Sequence, residues 1–82
     1  MKGIVEAISK INGFLAVKTE FGEYSIVEVL SGISIEVGDK ISGNLESLGG
    51  EDLLHESGEV FGGFIQDYHC DQQRAVFLLK QK

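Results

Sequence analysis

His69 and Cys70 are adjacent, with Asp67 just upstream and His55 further back, and these are residue types that build thiolate nucleophiles or metal centres. A thiol activated by an imidazole needs both side chains aimed at one point, whereas neighbours on a strand point to opposite faces. Metal ligands converge at spacings such as Cys-x2-Cys or His-x3-His, and the chain has a single Cys. No metal and no cofactor are expected here, and Cys70 reads as a small packed residue. Glu51-Asp52 is a carboxylate pair, but paired-acid catalysis needs a cleft, and ~80 residues rarely supply both a core and a deep cleft. Gly49-Gly50 and Gly62-Gly63 lack the Lys-Ser/Thr and the helix start that a phosphate loop requires. No catalytic residue emerges, and the chain is not expected to be an enzyme.

Binding chemistry is better represented. Phe14 and Tyr24 are rings able to stack bases, each base worth ~1–3 kcal/mol in a working site, with Lys10 and Lys18 as phosphate partners. The competing structural role is equally simple. Phe14 would close the hairpin end of a barrel, Tyr24 would cover an edge, and both lysines would be solvated. Charge weighs on the first role. Seven basic residues face thirteen acidic ones, a net charge of −6, and no Lys or Arg lies between Lys40 and Arg74. Glu20, Glu23 and Glu28 sit on or beside the same strands. Affinity for a polyanion comes mainly from neutralised phosphates, so any such footprint would be small and weak.

The elements that would carry these residues are mostly strands. Apolar residues recur at period two with glycine punctuation, and eleven Gly with no Pro suit strands that bend and turn tightly. Residues 2–10 form a first strand, and Asn12-Gly13 suits a type I′ hairpin turn into a second strand over 14–20. There Leu15, Val17 and Thr19 share one face. Gly22 turns the chain into a third strand over 24–30, rich in strong β formers. The segment 35–43 leads into a fourth strand with Ile41 and Leu45 inward. Gly49-Gly50 opens a loop, after which Leu53, Leu54 and His55 form either a short strand or one helical turn. Residues 60–66 make a fifth strand, with a bulge or bend at Gly62-Gly63. At the end, Asp71 caps a helix over 72–80 that puts Ala75, Leu78 and Leu79 on one face; the alternative is a short closing strand over 75–79.

Three pieces resemble the cold-shock domain and related RNA-binding OB-fold families: Lys2-Gly3-Ile4-Val5, Asn12-Gly13-Phe14 and Val37-Gly38-Asp39-Lys40-Ile41. The resemblance covers roughly residues 2–45. It implies a Greek-key barrel of five strands that binds single-stranded nucleic acid across its second and third strands, with Phe14 and Tyr24 as the stacking rings. The chain departs from that family at Ala7, where an aromatic is usual, at Leu15, where glycine and a second ring would follow, and throughout the second half.

The expectation is therefore one all-β domain over residues 1–82, a small five-stranded OB-like Greek-key barrel with a short C-terminal helix. Leu15, Val17, Val27, Val29, Ile41, Leu45 and Phe64 should form its core. The expected function is a non-enzymatic binding module taking single-stranded nucleic acid at Lys10, Phe14, Lys18 and Tyr24. The alternative is a protein-interaction or homodimerising module. No apolar run reaches the ~18–20 residues that span a bilayer, and a lone Cys fits the reducing cytoplasm.

Overall fold

Val5, Leu15, Val17, Val27 and Ile41 alternate with outward-pointing neighbours, and that alternation builds the barrel. The computed structural model describes residues 1–82. Six strands and one helix follow in order: β1 (Lys2–Ile8), β2 (Leu15–Thr19), β3 (Tyr24–Val29), β4 (Lys40–Ser42), β5 (Gly49–His55), β6 (Val60–Cys70) and α1 (Gln72–Leu79). They close as β1-β2-β3-β6-β5-β4, with β4 returning to β1 and every neighbouring pair antiparallel. Two three-stranded meanders thus interlock, joined by β3 against β6 and by β1 against β4. No helix is long and apolar enough to cross a membrane.

The strand count is six rather than five. The additional strand is Gly49–His55, which the sequence divided between a loop and an undecided segment. Glycine is a poor strand former alone, but β6 is eleven residues long and offers a complete ladder. Gly49 pairs with Ile65 and Gly50 with Phe64 along it. Tertiary pairing overrides the local preference.

Nine residues form the interior: Val5, Leu15, Val17, Val27, Ile41, Leu45, Leu53, Phe61 and Ile65. Five of the expected seven are among them, and Val29 packs at their margin. Phe64 is the correction. It is 40% exposed, because β6 runs with Phe61, Gly63 and Ile65 inward. A strand has period two, so a phase error of one residue moves a side chain to the opposite face.

Gly62-Gly63 is not a bulge either. The ladder is regular there, and the irregularities of β6 lie beyond it, between the partners of Tyr24, Ile26 and Val27. Gly63 serves close packing: a Cβ on it would lie 3.0 Å from Leu53 Cδ1 and 3.1 Å from Val27 Cγ1.

The C-terminal segment is a helix, which ends the alternative of a closing strand. Asp71 caps it, its Oδ1 accepting from the Arg74 N–H at 2.8 Å. A second small cluster, Ala16, Ile26, Cys70 and Ala75, lies between α1 and the outer side of the barrel, with Phe14, Tyr24, Leu78 and Leu79 packed around it. The far end of α1 is held by the first hairpin. Asn12 Nδ2 donates to the Leu78 carbonyl at 3.0 Å and to the Gln81 carbonyl at 2.9 Å, and Ser9 Oγ donates to the Leu79 carbonyl. Helix C-termini leave carbonyls without intrahelical partners, and here the turn supplies the donors. The turn is not type I′. Only Gly13 adopts a positive φ in it, and the loop closes through Gly13 N–H to the Ser9 carbonyl and Ser9 N–H to the Phe14 carbonyl.

Candidate binding groove

The four residues expected to bind nucleic acid do not form one surface. Phe14 and Tyr24 are half-buried at the margin of the cluster beneath α1, which crosses the outside of β2 and β3. The Tyr24 hydroxyl donates to Glu6 Oε1 at 3.0 Å, and this bond, ahead of partial burial and the Glu6 charge, raises the phenol pKa. Lys10 is exposed in the first hairpin turn. Lys18 is exposed on β2 and faces a different concavity.

That concavity is a groove of about 560 Å³ along the outer face of β1, walled by β2 on one side and by β4 and the β5–β6 turn on the other. Register explains it. Ile4 on β1 pairs with Lys18 on β2 and with Lys40 on β4, and Lys18 in turn pairs with Tyr24 on β3. One cross-strand row therefore reads Tyr24, Lys18, Ile4, Lys40. The next row sets Lys2 beside Ser42, and Ser42 beside Leu54. Ile4 and Leu54 are 45% and 44% exposed and give the groove an apolar floor. Lys2, Lys18 and Lys40 line it together with Glu6, Glu20 and Glu56. None of these lysines lies within ion-pair distance of a carboxylate.

At the rim of the groove, His55 and Asp39 form a part-buried polar contact. His55 Nε2 lies 2.7 Å from Asp39 Oδ2, with side chains 11% and 18% exposed. His55 Nδ1 meets Ser57 Oγ at 2.9 Å and accepts from the Ser57 N–H at 3.1 Å. Asp39 Oδ2 also accepts from the Glu36 N–H at 2.9 Å. The His55 bond, then the Glu36 amide, hold the Asp39 carboxyl below its ordinary pKa. This contact ties the turn before β4 to the turn after β5, so it fixes the rim rather than offering a free nucleophile.

The second histidine is placed differently. His69 takes a φ of +56°, uncommon for a residue with a side chain, and its Nε2 lies 3.0 Å from Glu46 Oε2. Cys70 points the other way and is buried beside Ala75, where burial pushes its thiol up to about 11. Adjacent residues thus serve opposite faces, and no imidazole–thiol pair forms. Two groups of potential cation ligands do come together, Glu23 with Glu46 and His69, and Asp39 with His55 and Glu56, each with ligand atoms within 4.8 Å. Both draw on segments far apart in sequence, so no local spacing could have announced them. The groove was hidden for the same reason: only the signal of Lys18 and Lys40 beside strand-forming residues was readable, not the register that aligns them.

Compared with protein-family models, curated proteins and solved structures, the chain matches none.

Proposed function

We propose that this chain is a non-enzymatic binding module of a reducing compartment such as the cytoplasm, and that it engages a partner protein through the groove on β1. The observation that carries this reading is the position of α1. Because the helix lies over β2 and β3, Phe14 and Tyr24 have packing roles there, and an exposed apolar floor lined by charged groups of both signs remains at Ile4 and Leu54. Three lysines and three glutamates line that groove with no lysine–carboxylate ion pair among them, which suits a polypeptide carrying both signs of charge. Complementary charge of this kind sets orientation and partner choice more than raw affinity. Net charge of −6 disfavours a polyanion.

One observation supports a second reading, single-stranded nucleic acid on an OB-like Greek-key barrel of the kind the cold-shock resemblance implies. The row Tyr24, Lys18, Ile4, Lys40 sets two cations and one ring across adjacent strands. Backbone-amide NMR titration with short oligo-dT and oligo-U at low salt separates the two. The protein-partner reading expects no shifts at Lys10, Phe14, Lys18 or Tyr24. Saturable shifts along Tyr24, Lys18 and Lys40 that weaken with salt would replace it with the nucleic-acid reading. Two or three phosphate contacts would then give a log–log salt slope of about −1 to −2.

A further inference from the structure

The outer face of β5 and β6 carries apolar side chains that the fold does not use. Leu54, Val60 and Phe64 are 44%, 63% and 40% exposed, and Leu30, following β3, is 59% exposed. Register brings them together. Leu54 pairs with Val60, Gly50 with Phe64, and the Leu30 N–H donates to the Gly62 carbonyl at 2.9 Å. Between them Gly50 and Gly62 leave bare backbone, and a Cβ on Gly50 would meet nothing within 4 Å. The result is a shallow trough of about 380 Å³, lined by Leu30, Gly50 and Gly62 and edged by Glu51 and Asp52.

The charge around this trough has one sign. Asp52 pairs with Gly62 across its centre, and Glu28 pairs with Phe64 at its far side. Glu59 precedes Val60, and no basic residue occurs anywhere between Lys40 and Arg74. We propose that this face docks a partner-protein segment in which basic and apolar side chains alternate. The apolar residues would cover Leu30, Val60 and Phe64, while the cations reach Asp52 and, at the far side, Glu28. The aliphatic stems of Lys or Arg can lie along bare backbone with the charge held at the rim. A nucleic acid is disfavoured because its phosphates would meet carboxylates alone. A second copy in two-fold contact is disfavoured too, since an isologous interface sets each patch against itself and would oppose acid to acid. Apart from Leu54, which borders both, the surface is separate from the β1 groove, so the proposal does not stand or fall with that site.

The test uses two synthetic peptides of equal length, one alternating Lys and Leu, the other alternating Glu and Leu, titrated into the labelled full chain. The Lys/Leu peptide is expected to shift the amides of Asp52, Val60, Gly62 and Phe64, and the Glu/Leu peptide to leave them unmoved. D52K, a change at an exposed position, should weaken the first binding about tenfold, the size of a lost charge contact, and F64S should weaken it similarly. Equal response to both peptides, shifts confined to the β1 groove, or no response would overturn the proposal. So would light scattering that finds the free chain dimeric and F64S monomeric, because the face would then belong to a second copy. Loss of the β1-groove reading, by contrast, would show in the oligonucleotide titration and leave these shifts intact.

Discussion

Asp39 shows how a single side chain can set a solution property of this chain. Its carboxyl is held below the ordinary value of 3.8, first by the bond to His55 and then by the Glu36 amide. The folded state therefore binds fewer protons at this position than the unfolded state does in the acid range. Its stabilising contribution is complete above about pH 4 and is lost as pH falls through the folded value. Asp39→Asn should thus lower the urea midpoint at pH 6 and narrow its difference from wild type as pH approaches 2. A difference that stays constant across that range would remove the Asp39–His55 contact from the pH dependence. The sequence offered both residues but gave no reason to pair them, since sixteen positions separate them and β4 and β5 bring them together.

Among the elements, α1 has the clearest consequence. Ala75 is buried, Leu78 and Leu79 are half-buried against the outer cluster, and Ser9 and Asn12 bond the carbonyls at its end. Arg74 adds an exposed contact to Asp67 at 3.2 Å and lies 5.7 Å from the Phe77 ring centre. Removing residues after Arg74 deletes the apolar face and leaves Asn12 without its acceptors. Half-burial of two leucines amounts to roughly 1.5–3 kcal/mol, and each kcal/mol moves the melting temperature of a domain this size by about 4–8 °C. The truncated chain should melt on the order of 10 °C lower by circular dichroism. A shift under a few degrees would mean that the helix does not hold to the barrel. Here the sequence was informative, because the Asp71 cap and the spacing of Ala75, Leu78 and Leu79 are local features. The first turn was misjudged because Asn12 has a long-range role: its amide serves the helix instead of a left-handed turn position.

For the molecule as a whole, the closed order leaves neither meander a core of its own. Val5, Leu15, Val17 and Val27 come from the first, and Ile41, Leu53, Phe61 and Ile65 from the second, in one cluster. The radius of gyration of the Cα trace is 11.0 Å. Unfolding should be a single cooperative event, as is usual for small domains with one core. Near-UV and far-UV circular dichroism should give coincident denaturant curves, and a separate early transition in either would show that one meander loosens first.

The amino-acid sequence by itself determined the barrel class, the inward phase of the second and third strands, the capped C-terminal helix and the acidic second half. These rest on period-two alternation, propensity and charge, which are properties of neighbours along the chain. Tertiary structure alone decided the sixth strand at Gly49–His55, the phase of β6 that turns Phe64 outward, and the burial of Phe14 and Tyr24 at the margin of α1. It also decided the alignment of Lys18, Ile4 and Lys40 into one row. Each of these depends on which strand lies beside which and in what register. Register is fixed by the simultaneous burial of residues far apart in sequence, so no local window contains it.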